Sequence, residues 1–87
     1  MVDDELLKQI IELLSQIVDD KTVPKNIREN AQKAINDLSN KSLEISVRVD
    51  RAIQLLDDVS EDPNMPVYTR TQIWNLVSLL ESLLQEQ

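Results

Sequence analysis

The sequence contains no glycine, no cysteine and no histidine. Without cysteine it has neither a disulfide framework nor a thiolate zinc site, and without histidine it lacks the commonest transition-metal ligand and general base. Without glycine it has no P-loop, dinucleotide-binding fingerprint or usual nucleophile elbow, because each needs backbone conformations that glycine permits. These absences exclude most familiar enzyme classes, and we expect no cofactor and no bound metal.

Basic residues, aromatic residues and long apolar runs are also scarce. Sixteen acidic side chains against nine basic ones give a net charge of −7, which repels nucleic acid and anionic membrane surfaces. One Trp and one Tyr offer few platforms for stacking bases. No apolar run is long enough to span a bilayer, and the first residues are acidic where a signal peptide is basic. We therefore expect a cytoplasmic protein without nucleic-acid or membrane partners.

The apolar residues, 41% of the 87 positions, recur with helical spacing. A chain of this length is expected to form one domain, residues 1–87. The i, i+3, i+4, i+7 pattern predicts helices at about 4–19, 24–40, 42–59 and 66–85. The expected N-caps are Asp3 or Asp4, Thr22, Ser42 or Asn40, and Asn64, in helix order.

The third segment begins ambiguously. Apolar residues at 43, 45, 47 and 49 alternate with polar ones, as in a half-buried strand. No second strand-like run exists to pair with it, and an isolated strand leaves its backbone groups without partners. Val49, Ile53 and Leu56 then continue with helical spacing, so we predict a helix here.

The two halves of the chain resemble each other. An offset of 42 residues aligns Pro24 with Pro66 and Arg28 with Arg70, within a shared pattern Leu-Leu-x-x-(Ile/Val)-x-(Asp/Glu)-Asp-x-x-(Val/Met)-Pro-x-x-x-Arg. Short links make successive helices antiparallel neighbours. The sequence therefore predicts an all-α, antiparallel up-down-up-down four-helix bundle, built from two similar helix-loop-helix hairpins with a pseudo-twofold relation.

The repeated loops supply the first candidate site. Arg28 and Arg70 each lie in the second turn of a helix, eight residues after Asp20 and Asp62 respectively. The planar guanidinium group binds carboxylates and phosphates with two hydrogen bonds, which suits an anion or partner site. In the alternative, which we favour, each Arg folds back onto its own loop acid and fixes the hairpin, adding about 0.2–1 kcal/mol.

Acidic residues crowd the end of the third helix. Asp57, Asp58, Glu61 and Asp62 offer carboxylate oxygens that a calcium or magnesium ion prefers. The glycine and terminal glutamate of an EF-hand loop are absent. Binding of a cation or small ligand by the acidic loops and the two arginines is therefore the alternative function.

Surplus apolar residues supply the second candidate site. On the last helix Val67 and Trp74 share one flank of the apolar stripe and Leu79 lies at the other. The first helix also carries a stripe wider than one core contact needs. These flanks either line the edges of the internal core or form an interface, where Trp is a favoured anchor. We therefore predict a non-enzymatic structural or interaction module that forms a homo-oligomer or binds a protein partner.

The paired hairpins also resemble a known family. The pattern described above, with Val23-Pro24-x-Asn26-Ile27-Arg28 and Asp62-Pro63-Asn64-Met65-Pro66, is similar to an uncharacterised, UPF-type family of small archaeal helical proteins. The resemblance covers essentially the whole chain and implies a four-helix up-and-down bundle. It implies no activity, substrate or catalytic residue.

Overall fold

The computed structural model describes residues 4–85, which form four α-helices. These are α1 (Asp4–Asp19), α2 (Lys25–Leu38), α3 (Ile45–Val59) and α4 (Val67–Gln85). Helix α1 packs against α2 and α4, and α3 packs against the same two helices, so the four helices enclose one core. The bundle measures 37 × 21 × 19 Å along its principal axes. The predicted antiparallel four-helix bundle is confirmed, including the helical assignment of the ambiguous third segment.

Three helices begin later than predicted. Helix α2 begins at Lys25, α4 begins at Val67, and α3 begins at Ile45, three residues beyond its predicted start. Leu43 belongs to the turn that precedes α3, where its N–H donates to the carbonyl oxygen of Asn40 at 3.1 Å. The strand-like alternation in this segment therefore arises because a turn residue stands next to the first turn of a helix.

The predicted side-chain caps of α2 and α3 are wrong. Pro24 and Glu44 occupy the N-cap positions, and neither side chain caps its helix. Thr22, Ser42 and Asn40 instead take part in turns ahead of these helices. Of the other predicted caps, Asn64 lies three residues before α4, and Asp4 lies in the first turn of α1. Asp3 lies outside the described residues.

The wide apolar stripe of α1 is covered within the chain. Ile10, Leu14 and Ile17 are fully buried in the core. The flanking residues are half-buried and pack against that core, and they are Leu6, Leu7, Ile11, Leu13 and Val18. The surplus width of α1 therefore lines the edges of the internal core.

Helix α2 approaches its neighbours closely because its buried side chains are small. Ala31 and Ala34 are fully buried, and α2 makes the most extensive helix contact of the bundle with α3, which contributes Ala52. Interaxial distance depends on the side chains at the contact, so alanine lets two backbones come together. The positions equivalent to Ala31 and Ala34 in the second hairpin are Ile73 and Leu76, both buried. The two hairpins therefore share a topology but not a core composition.

One buried polar group lies in this core. Thr69 is fully buried, and no group in residues 4–85 hydrogen-bonds to its hydroxyl. Its equivalent in the first hairpin is the buried Ile27. Because an unsatisfied buried hydroxyl costs about 1–3 kcal/mol, we expect Thr69→Val to stabilise the protein by about 1 kcal/mol and to raise its melting temperature by about 4–8 °C.

Circular-dichroism melting measures this gain, and Thr71→Val is the control. Thr71 is exposed and its hydroxyl donates to the carbonyl oxygen of Val67 at 3.3 Å, so its loss should change the melting temperature little. A melting temperature that falls in Thr69→Val would contradict an unsatisfied hydroxyl at this position.

Candidate functional site

The three interhelical loops share one local structure. In each loop an Asp or Asn side chain accepts a hydrogen bond from the backbone N–H two residues later, which forms an Asx turn. The pairs are Asp20 with Thr22 at 2.9 Å, Asn40 with Ser42 at 3.1 Å and Asp62 with Asn64 at 2.9 Å. Thr22, Asn40, Ser42 and Asn64, which were predicted to cap helices, therefore take part in hydrogen bonds within the loops.

An arginine in the helix after each loop binds the loop backbone. The Nε of Arg28 donates to the carbonyl oxygen of Val23 at 3.0 Å. Arg70 donates to the carbonyl oxygens of Ser60 and, at 3.0 Å, Asp62. Both arginines therefore contact the loops, but their acceptors are carbonyl oxygens where the sequence suggested the loop carboxylates.

A third arginine in this arrangement was missed from the sequence. Arg48 donates to the carbonyl oxygen of Leu43 at 2.9 Å and to that of Leu38 at 3.4 Å. The signal was present, because Asn40-x-Ser-Leu-Glu-x-x-x-Arg repeats Asp20-x-Thr-Val-Pro-x-x-x-Arg 20 residues later. An offset of 42 residues, which aligns whole hairpins, pairs Arg48 with Leu6 and therefore does not reveal this repeat.

The first and third loops meet at one end of the bundle and exchange hydrogen bonds. The hydroxyl of Tyr68 donates to the Oδ2 of Asp20 at 2.7 Å, and the Nδ2 of Asn26 donates to the Oδ2 of Asp62 at 2.7 Å. The hydroxyl of Thr22 donates to the other oxygen of Asp20 at 2.6 Å. Asn26 and Tyr68 are equivalent under the 42-residue offset. Each hairpin therefore supplies one donor to the loop acid of the other, as a pseudo-twofold relation requires.

These donors lower the pKa values of both loop acids. The pKa of Asp20 lies below its ordinary value because of hydrogen bonds from the Thr22 hydroxyl, the Tyr68 hydroxyl and the Thr22 N–H. The pKa of Asp62 is lowered mainly by hydrogen bonds from the Asn26 amide and the Asn64 N–H, while burial partly opposes the shift and the charge of Arg70 adds a smaller lowering. Both carboxylates are thus directed at protein donors.

No cation site is formed by the acidic residues that the structure describes. Within residues 4–85 no three carboxylates come together as metal ligands would. The loop acids and the two predicted arginines bind groups of the protein itself, so the geometry of the bundle end favours loop fixation over binding of an ion.

The lowered pKa values predict an acid-dependent stability. A carboxylate with a lower pKa in the folded state stabilises that state above its unfolded-state pKa, and the effect is lost as the pH falls through the folded-state pKa. We expect Tyr68→Phe, which removes a donor to Asp20, to lower the melting temperature at pH 7. The difference from the unsubstituted protein should shrink as the pH falls below the ordinary pKa of an Asp, about 3.9, and through the lower folded-state pKa of Asp20.

Thr71→Val is the matched control for this experiment. It also deletes a hydroxyl from α4, but its acceptor is a backbone carbonyl, which does not titrate. Thermal melting of both variants between pH 7 and about pH 2 separates the effects. An equal dependence on pH in the two variants would contradict the role of the Tyr68 hydroxyl.

The outer face of α4 forms the second candidate site. We define the α4 face by the exposed residues Val67, Thr71, Trp74, Ser78 and Glu81. Val67 is 80% exposed and Trp74 is 62% exposed, and seven residues of helix place them about 20° apart around its axis. The structure therefore presents a large aromatic and an aliphatic side chain together to solvent.

The other predicted interface residue lies elsewhere. Leu79, on the opposite flank of α4, is half-buried and packs against the core. Gln32, which the internal repeat places at the position of Trp74, is exposed on α2. The solvent-facing position that Trp74 occupies in the second hairpin is therefore occupied by a polar glutamine in the first.

The α4 face is poor in charge. Arg70 and Glu81 are the charged residues among the 19 of α4, whereas 29% of the whole chain is charged. Arg70 is half-buried beside the α4 face and Glu81 lies near its far end. The face therefore combines an exposed Trp with a low content of charge, and both features are typical of the centre of protein–protein interfaces.

A groove of about 430 Å³ between α2 and α3 is a weaker candidate. It is lined by charges of both signs, Lys33 and Arg51 with Asp37 and Asp58. Arg51 and Asp37 form an ion pair across it, with an N–O distance of 3.8 Å. Because its cations and anions face one another, the groove offers no net charge for recognition of an ion.

Comparisons with known proteins place this bundle among uncharacterised relatives. Residues 1–83 match the model of a family described as an uncharacterised protein family, UPF0147. A UPF0147 protein of Sulfurisphaera tokodaii is 49% identical over 77 residues, which are 88% of this chain and 86% of that protein. A UPF0147 protein of Pyrococcus furiosus is 48% identical over 81 residues, 92% and 87% of the two chains.

Solved structures show the same fold. A crystal structure of the unknown-function protein MMP1188 has a TM-score of 0.88 and 56% identity, over 91% of this chain and 90% of that one. A UPF0147 protein from Thermoplasma acidophilum has a TM-score of 0.89 and 34% identity, over 93% and 95% of the chains. The family resemblance inferred from the loops is confirmed. No helix within residues 4–85 has the length and hydropathy needed to cross a membrane.

Proposed function

The chain belongs to the uncharacterised family UPF0147, and from this premise we propose that it is a non-enzymatic module that binds other protein chains through the α4 face. The observation that carries the proposal is the exposure of Trp74, 62% of whose surface faces solvent at the centre of a charge-poor helix. Tryptophan is enriched at interface hot spots, and the core of an interface is depleted in charge.

The chemistry of the remaining residues supports an interaction role over an enzymatic one. The chain has no histidine or cysteine to act as a base or nucleophile. The acids with shifted pKa values, Asp20 and Asp62, are bound by protein donors at the bundle end. Neither carboxylate is therefore arranged as an acid–base partner in a cleft. The proposal includes a cytoplasmic location, where the partner chains would be found.

Photo-crosslinking tests the proposal with a control inside the same molecule. A photoreactive phenylalanine analogue replaces Trp74 in one variant and Gln32 in another, and both are expressed in cells of the source organism. Both side chains are exposed and occupy equivalent positions in the two hairpins. We expect illumination to join the chain to another protein chain from position 74 and not from position 32.

The yield at the two positions decides the question. Equal crosslinking from both positions would mean that the α4 face contacts other protein chains no more than the exposed face of α2 does, and the proposal would be wrong. The same conclusion follows if position 74 gives no crosslinked product while circular dichroism shows an intact helical bundle.

A further inference from the structure

We propose that the chain bound at the α4 face is a second copy of this protein, with the two α4 helices packed antiparallel about a twofold axis. This inference rests on the proposed function and names its partner. A twofold axis presents the same surface from both copies, so the face must be complementary to itself. The distribution of charge on the bundle supports this form of contact.

Net charge restricts where two copies can meet. Each copy carries a charge of −7, so two copies repel one another over most approaches. The outer faces of α1 and α3 expose several acids, including Glu12, Asp50 and Asp57. The α4 face exposes only Glu81 as a charged group. Two copies of this acidic chain can therefore meet through α4 without bringing the acidic faces of α1 and α3 together, whereas a basic partner would be drawn to those acidic faces.

The two charged residues of α4 select the antiparallel arrangement. Arg70 and Glu81 are 11 residues apart, so they lie about 20° apart around the helix and about 16 Å apart along it. An antiparallel pair of α4 helices, with its axis between these residues, places Arg70 opposite Glu81 of the partner subunit, and the symmetry forms this pair twice. A parallel arrangement would place like charges together.

Arg70 retains donors for such a pair. A guanidinium group has five N–H donors, and the loop carbonyls of Ser60 and Asp62 use two Nη atoms of Arg70 for one bond each. The same antiparallel arrangement brings Trp74 near the axis, against Val77 and Ser78 of the partner subunit. The apolar contact thus lies at the centre and the charged pairs lie at its ends.

The size of the α4 face predicts a reversible dimer. Nineteen residues form a helix about 28 Å long and about 10 Å wide, which gives a contact of roughly 300 Å² from each copy. A standard stable interface buries about 800 Å² from each partner. Association should therefore depend on concentration, and experiments must reach high concentration to detect it.

Sedimentation equilibrium from about 10 μM to about 2 mM tests the dimer directly. We expect the full chain to pass from monomer to dimer over this range. Trp74→Ala should weaken dimerisation at least 30-fold, the effect of truncating about one hot-spot side chain. Val47→Ala, which removes the partly exposed apolar side chain of α3, should leave the dimer unchanged.

The antiparallel arrangement has its own test. Glu81→Lys places a cation opposite Arg70 and should weaken the dimer about 2- to 30-fold relative to Glu12→Lys. Glu12 lies on the exposed face of α1, so the control carries the same change in net charge. Equal affinity in the two variants would overturn the antiparallel arrangement.

The dependence of the dimer on salt and the crosslinking from position 74 provide two further tests. Salt should strengthen the dimer, because it screens the repulsion between two copies of charge −7 and this gain exceeds the weakening of the two exposed Arg70–Glu81 pairs. A chain that stays monomeric at every concentration refutes self-association. If position 74 then crosslinks a different protein, the proposed function stands and only its partner changes. A dimer that survives Trp74→Ala also overturns the inference, because its contact lies elsewhere.

Discussion

Leu76→Ala is expected to lower the free energy of unfolding by about 2–5 kcal/mol, the usual cost of a cavity at a buried leucine. Leu76 is 1% exposed in the core of α4. The internal repeat places Ala34 at the equivalent position of α2, so an alanine is already tolerated there. The repeat alone would therefore suggest a harmless change. The structure instead predicts a large loss of stability, because the space between α4 and its neighbouring helices is filled by the leucine side chain.

The reverse substitution tests the same idea from the other side. Ala34→Leu should cost about 1–3 kcal/mol, because added methylene groups overpack a close helix contact. Ala34 is fully buried in α2, which makes the most extensive helix contact of the bundle with α3. Urea denaturation followed by circular dichroism measures both changes against a total stability of about 5–15 kcal/mol.

Leu76→Met provides the control for these measurements. It conserves side-chain volume and should cost less than about 1.5 kcal/mol. If Leu76→Ala costs no more than Leu76→Met, then the space around α4 collapses onto the smaller side chain. The two hairpins would then be interchangeable in packing as well as in topology.

The helices were predictable from sequence because burial imposes their periodicity. The spacing on α2 places five residues inward, of which Ile35 is half-buried and the other four, Ile27, Ala31, Ala34 and Leu38, are buried. Helical spacing also puts Thr69 on the same face of α4 as Ile73, Leu76 and Leu80, and all four are buried. One apolar stripe on each helix can be buried only by a common core, and short links leave few topologies. The fold therefore followed from pattern and loop length.

The helix starts were less predictable because polar side chains near a loop have competing uses. Thr22 is a good N-cap by residue type, but Asp20 lies two residues before it and accepts hydrogen bonds from both its N–H and its hydroxyl. Once that turn forms, the first helical residue lies beyond Pro24. The choice between a cap and a turn depends on a local geometry that residue preferences do not resolve.

The candidate site was predictable in part. The repeat and the short loops together imply that the first and third loops lie at the same end of the bundle. The specific donors, Asn26 to Asp62 and Tyr68 to Asp20, join residues 36 and 48 positions apart. Their pairing depends on how the hairpins are rotated against each other. The exposure of Trp74 depends on the same rotation, because a residue at the flank of a stripe is covered or left open by its neighbouring helix.

Arg70→Met is expected to lower the free energy of unfolding by about 1–3 kcal/mol. The guanidinium group of Arg70 donates to the carbonyl oxygens of Ser60 and Asp62 in the loop before α4. Hydrogen bonds from charged donors contribute about 1.5–3 kcal/mol, and a carbonyl that loses its donor in a half-buried loop is left partly unsatisfied. Methionine keeps most of the apolar length of the side chain and removes the donors together with the positive charge, so a control for the loss of charge is needed.

The three loop arginines should form a graded series. Arg48 also donates to two carbonyl oxygens, of Leu43 and Leu38, whereas within residues 4–85 Arg28 donates to one, that of Val23. We therefore expect Arg48→Met to cost about as much as Arg70→Met, and Arg28→Met to cost about half as much. Lysine at position 70 should recover only part of the loss, since an ammonium group does not present two donors in a fixed plane.

Arg51→Met is the matched control for the series. Arg51 is exposed, and its ion pair with Asp37 spans 3.8 Å near the surface, so its removal should cost at most about 1 kcal/mol. If all four substitutions cost the same in urea denaturation, the arginines act only through charge or side-chain packing. A larger loss at positions 48 and 70 means that the shared loops are held by donors to their backbone. The repeated Arg would then be retained because it closes each loop, and the α4 face would be free to differ between the two hairpins.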